Sequence, residues 1–103
     1  MISEIFPEEK RRLFDLEQQL SALEKGSTSI HPSDIYLGIN EMTTRIDHLE
    51  QLAMNESKVR RDDYRRRIVH LRNSHAHIKQ GIDSFMKRKD KNGKHTYIRM
   101  YFI

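Results

Sequence analysis

Apolar residues recur at alternating steps of three and four in three separate stretches of this chain. They are Leu13, Leu16, Leu20 and Leu23; Ile35, Ile39, Met42, Ile46 and Leu49; and Tyr64, Ile68 and Leu71, resumed after His75 by Ile78, Ile82 and Phe85. Both step lengths return close to the same side of a 3.6-residue turn, so each stretch reads as a helix with one narrow apolar stripe. Such a stripe cannot be buried by the helix that carries it. Three of them in one chain predict an all-α fold, three helices packed lengthwise as an antiparallel bundle whose outer surface must supply the function. Stripes this narrow also suit intermolecular coiled coils, so a monomeric bundle and a coiled-coil oligomer both stay open at this point.

Breaks between the stripes follow from local chemistry. Pro7 suits a first helical turn and Glu8-Glu9 place negative charge where the helix dipole favours it, so the first helix begins near residue 7 or a few residues earlier. It stops at Gly26, and residues 27–32 form a short connection ending in Pro32, which with Asp34 starts a second helix that runs to about Asn55. The polar triplet Asn55-Glu56-Ser57 turns the chain, with Ser57 able to cap the third helix. No Gly or Pro marks that break, and the alternative is that helices two and three run on through a kink. The third helix extends to about Lys89. Beyond it, Asp90 to Lys94 is a turn signal and Thr96 to Ile103 is β-branched and aromatic without helical spacing. The expected division is a three-helix domain over residues 1–89 and an irregular or strand-prone, non-helical tail over 90–103. A lone strand has no partner there, so the tail is expected to be poorly ordered or loosely docked, with an apolar end that is an aggregation liability.

At 103 residues the chain has room for one modest core, and the two prolines and four glycines fit long solvated helices. The formal net charge of +4 hides a strong asymmetry. Residues 1–57 carry 5 Lys/Arg against 11 Asp/Glu, a balance of −6, and residues 58–103 carry 14 against 4, a balance of +10. The halves should attract each other when folded, and the second half alone suits an acidic partner. There is no cysteine, which excludes disulfides and thiolate chemistry and fits a reducing compartment. No apolar run approaches the roughly 20 residues of a bilayer span. Ile5-Phe6 is followed at once by charged residues, so the N-terminus has no signal-peptide core and the chain is expected to be soluble and not exported.

Residue patterns for chemistry are sparse. His70, His75 and His77 lie in the third helix at steps of five and two, whereas ligands on one helix need three or four, so no metal site or cofactor is implied. His75 instead falls on the third stripe, as a partly buried residue with a satisfied hydrogen bond and therefore a pH-sensitive weak point. The carboxylates of the first two helices form no acid/base dyad, and there is no phosphate loop and no nucleophile beside a base. Catalysis is not expected. The basic run Lys58, Arg60, Arg61, Arg65, Arg66 and Arg67 is the candidate interaction face. Clustered arginines neutralise phosphates and Tyr64 offers a stacking ring, which suits nucleic acid. Against this, Asp62-Asp63 interrupts the run, Tyr64 belongs to the core stripe, and no nucleic-acid-binding signature accompanies it. The remaining readings are a solvated face set against the acidic helices, and contact with anionic lipid headgroups.

The second helix, Ile35-x3-Ile39-x2-Met42-x2-Arg45-Ile46-Asp47-x-Leu49-Glu50-x-Leu52, resembles the N-terminal region of the membrin, or Golgi SNAP receptor complex member 2, family of Bos-type Qb-SNAREs. The likeness includes Leu23-Glu24 and continues through the basic run to Leu71, Ile78, Ile82, Phe85 and Arg88, over roughly residues 10 to 89. The resemblance implies a three-helix, Habc-like regulatory domain of a SNARE acting between the endoplasmic reticulum and the Golgi and within the Golgi. It implies protein partners, namely syntaxin-type and other Golgi SNAREs or tethering and regulatory factors, at the cytoplasmic face of those membranes. Family members continue into a SNARE helix and a membrane anchor. This chain departs from that pattern after about Lys89, with a tail like the translation of an alternative exon or retained intron, so by this reading it should be soluble and should not drive fusion by itself. Outside the resemblance, the alternatives are a basic helical nucleic-acid-binding module and a plain helical adaptor.

Overall fold

The computed structural model describes residues 2–89, Ile2 by its backbone alone. It contains α1 (Ile2–Glu24), α2 (Pro32–Met54) and α3 (Lys58–Lys89), each packed on the other two, and no strand among the described residues. The expectations for residues 90–103 lie outside the described residues. Pairings across the helices fix their directions. Glu9 meets Arg45 and Leu16 lies over Gly38, so numbers rise along α1 as they fall along α2. Asp47 meets Arg72 and Tyr36 meets Asp83, the same reversal between α2 and α3. Phe6 meets Tyr64, Leu20 lies over Gly81 and Glu24 meets Arg88, so α1 and α3 run parallel. This is an up-down-up three-helix bundle.

The helix ends are built from backbone hydrogen bonds. Gly26 takes a φ of +100°, which only glycine adopts without strain, and its N–H donates to the Leu23 carbonyl at 3.0 Å while Ser27 N–H donates to the Ala22 carbonyl at 3.0 Å. These two bonds are a Schellman motif and satisfy carbonyls that the end of α1 would leave bare. Pro32 opens α2 after His31, whose extended backbone sits at the cap but whose side chain makes no capping bond. Residues 55–57 reverse the chain, with the Ser57 carbonyl accepting from Arg61 N–H at 2.8 Å. The kinked continuous helix is therefore not formed. A straight rod would leave both stripes in water, whereas the reversal lets them face each other.

Helix α1 begins at Ile2, a turn and a half upstream of Pro7. Proline removes one helical donor, and so near the start this forfeits a single bond, to Ser3. Ile5 and Phe6 hold the added turn by packing on the core, where the Phe6 ring stacks on Tyr64 with centroids 5.5 Å apart.

The stripe residues Leu13, Leu16, Leu20, Leu23, Ile35, Ile39, Met42, Ile46, Leu49, Tyr64, Ile68, Leu71, Ile78 and Ile82 are all buried, none more than 7% exposed. Phe85 differs, being only half-buried against the cluster, because it lies within a turn of the bundle's end. Three further residues complete the stripes. Ala53 follows Leu49 on α2, and Phe6 and Glu9 precede Leu13 on α1 at the same steps of three and four.

Candidate interaction surfaces

Among the described residues no three His, Asp or Glu side chains converge as metal ligands. His75 is half-buried, its Nε2 2.9 Å from the Ile39 carbonyl and 3.0 Å from Thr43 Oγ1. A nitrogen facing a carbonyl must carry the proton, so His75 donates to Ile39 from α3 to α2.

Glu9 is the one buried charged residue among those described, 2% exposed on the face of α1 turned to α2. Arg45 of α2 reaches its Oε1 at 3.4 Å and Arg12 Nε lies 3.6 Å from the same oxygen, while Oε2 accepts no hydrogen bond. Glu41 holds Arg45 at 3.1 Å and Glu8 holds Arg12 at 3.1 Å. The hydrogen bond to Glu41, followed by the charges of Glu9 and its neighbours, raises the Arg45 pKa against the opposing effect of desolvation. Nothing in the apolar pattern announces this cluster, because it depends on how α1 and α2 pack.

At the other end of α2, the Tyr36 hydroxyl donates to Asp83 Oδ1 at 2.6 Å. Desolvation first, and then the Asp83 carboxylate, push the phenol up to about 12. The same hydrogen bond, aided by Lys79, lowers the Asp83 pKa. Arg72 bridges Asp47 at 3.0 Å and Glu50 at 3.4 Å, chiefly the Asp47 bond raising its pKa. Some α3 cations therefore serve to fasten α3 to the acidic helices.

The basic run does not gather on one face. Arg60 pairs with Glu56 at 3.9 Å in the preceding turn, and Arg61 is half-buried. Arg67 turns toward α1, its guanidinium 5.6 Å above the Phe6 ring and 3.2 Å from Asp63. There it lines a groove of about 640 Å³ between α1 and α3, with Phe6, Pro7, Lys10, His70 and Leu71. Lys58, Arg65 and Arg66 are exposed, and the last two border a shallow depression with Asp62, Val69 and His70. Tyr64 is committed to the core and offers no stacking ring to a nucleic acid.

No curated protein and no solved structure matches the chain. A family model does: that of BOS1/GOSR2/MEM11, N-terminal domain, over residues 2–99. The match exceeds the span of residues 10 to 89 at both ends, so likeness to the family does not stop at Lys89. This is a family of SNARE domains and not of enzymes, and the long parallel and antiparallel helices above are the architecture on which its sequence pattern lies. The three stripes, their capped ends and a match over nearly the whole chain place it: the chain belongs to the BOS1/GOSR2/MEM11 N-terminal domain family, the N-terminal domain of Bos1/GOSR2-type SNAREs of vesicle transport.

Proposed function

We propose that this domain is the regulatory and interaction domain of a membrin-like Golgi SNARE, working in ER–Golgi and intra-Golgi transport by binding proteins. The family match carries this reading. Residues 1–89 are the folded binding unit, and the partners are syntaxin-type Golgi SNAREs or tethering and regulatory factors at the cytoplasmic face of those membranes. The packing supports a role outside the fusion machinery itself. SNARE assembly needs a helix whose apolar stripe is free to zipper with others in register. Here the stripes of α1, α2 and α3 are spent on one another, with Ile35, Ile46, Ile78 and Ile82 at most 1% exposed. Joining a four-helix core would require the bundle to unfold, so a partner meets the exposed faces.

No helix of the described residues is long and apolar enough to cross a membrane. Liposomes carrying the other three Golgi SNAREs test the proposal. The expected result is no lipid mixing when this chain replaces the Qb-SNARE, together with saturable binding to one of those SNAREs or to a Golgi tether. Lipid mixing driven by this chain would sink it, and so would the absence of any such binding.

A further inference from the structure

Helix α3 carries a second stripe opposite its core stripe. Val59, Asp62, Arg66, Val69, Asn73 and Ala76 follow one another at steps of three and four, and all are exposed, Val59 by 81% and Val69 by 53%. The line continues through Gln80, Ser84 and Lys87, about 40 Å from Val59 at the rise of an α-helix. Lys58 and Arg65 flank it. Arg66 on this ridge and Arg65 beside it are cations that the bundle does not use. Arg67, Arg72, Lys79 and Arg88 are each paired with a carboxylate, whereas Arg65 and Arg66 have no ion-pair partner among the described residues. Between Asp63 and Asp83 the helix has no acidic residue at all.

Shape and charge together select the occupant. A convex ridge that sets Arg66 between the exposed valines Val59 and Val69, with Lys58 and Arg65 beside it outweighing the single carboxylate of Asp62, meets a planar surface, while a protein would need a matching concavity. Anionic headgroups satisfy the arginines, and the valines fit the apolar margin of a bilayer better than the polar groove of a nucleic acid. The acidic helices α1 and α2 lie on the far side, so the field of an anionic surface turns the ridge toward it. We propose that the outer ridge of α3 docks the bundle on an anionic membrane surface, with Arg65 and Arg66 against headgroup phosphates and Val59 and Val69 facing the interfacial layer. This stands apart from SNARE or tether binding, and neither result decides the other.

The test is sedimentation of the full chain with phosphatidylcholine vesicles, with and without phosphatidylserine, at low and at physiological salt. Binding is expected only to the anionic vesicles and should weaken as salt rises. A cation near such a surface contributes about fivefold in affinity, so Arg65→Gln with Arg66→Gln should weaken binding roughly 30-fold. The comparison variant, Arg72→Gln with Arg88→Gln, removes the same charge from the flanks and should lose far less, with circular dichroism confirming that both variants are folded. Equal binding to neutral vesicles, no loss from the ridge pair, or equal loss from both pairs would overturn the proposal. Binding to duplex DNA with none to vesicles would overturn it in favour of a nucleic-acid face.

Discussion

Glu9 and His75 occupy equivalent places, each a polar residue on an apolar stripe, and the bundle treats them differently. Glu9 is almost fully enclosed, and a charge so placed must be paired; Arg12 of its own helix lies 3.6 Å away, and the nearer partner comes from outside that helix. That partner is Arg45 of α2, itself held by Glu41. His75 is half-buried and needs only one backbone carbonyl, that of Ile39. A buried charge thus demands side chains of opposite charge, while a ring N–H needs only an acceptor that every residue supplies. We infer that Glu9 sets the register of α1 on α2, and that His75 merely fills its place between α3 and α2.

The scale for testing this contrast is set by ordinary stripe positions. Ile46→Ala and Leu71→Ala should each cost about 2–5 kcal/mol in denaturant melts, with Arg65→Ala and Arg66→Ala within about 0.5 kcal/mol of the parent. Equal losses at all four would mean that the buried face is misassigned.

Next in size is Arg45→Met, which leaves Glu9 with Arg12 alone. A loss of about 2–3 kcal/mol is expected, less than for a fully enclosed pair, since the Arg45 side chain keeps 37% of its exposure. Glu9→Leu should reverse that loss, and by itself should raise stability by about 1 kcal/mol, because an apolar residue of similar size removes the desolvation cost. If Glu9→Leu destabilises as much as Arg45→Met, the carboxylate contributes more than register and the contrast with His75 needs revision.

His75→Ala should cost only about 1 kcal/mol, because the Ile39 carbonyl keeps the Thr43 hydroxyl at 3.1 Å as well as its helical bond. A loss as large as that of Arg45→Met would erase the distinction. The smallest effect is expected at Tyr36→Phe, about 1 kcal/mol or less at neutral pH. Its signature is pH dependence. The Tyr36 pKa is raised from 10.0 to about 12, so its contribution is complete below pH 10 and is lost as pH rises toward 12. The Asp83 pKa is lowered from 3.8, so its contribution is present above that value and is lost as pH falls below it. Stability of the parent should therefore decline at both extremes more steeply than that of Tyr36→Phe. Parallel pH profiles for the two proteins would show that the bond carries no linked protons.

Much of this fold is legible before any coordinates. Three stripes at helical spacing, Gly26 after the first and Pro32 before the second are local signals, and the folded chain uses them locally. The first turns of α1 are harder to read. Counting back from Leu13 by four and three lands on Glu9 and Phe6, but a carboxylate on an apolar face ordinarily marks the end of a stripe. The hydrogen bond to Glu9 comes from Arg45, 36 residues away, and that approach is a property of packing. Pro7 likewise reads as a beginning, although Phe6 stacked on Tyr64 holds a further turn ahead of it. For the basic run the composition is legible and the sorting is not. Arg66 and Arg67 are neighbours in sequence, yet successive residues point about 100° apart, and only the position of α1 decides which one faces Phe6.

The partition of charge between the acidic helix pair and α3 also bears on the symmetry of any self-association. Residues 1–57 carry −6, while α3, with 11 Lys/Arg and 3 Asp/Glu, carries +8. A twofold dimer through either surface would press like against like. Front-to-back stacking instead matches opposite charges and leaves one unmatched surface at each end, so the contact is heterologous and does not close. We expect copies of this bundle to form short open stacks at low ionic strength, seen as light scattering that falls when salt is added, and no discrete dimer.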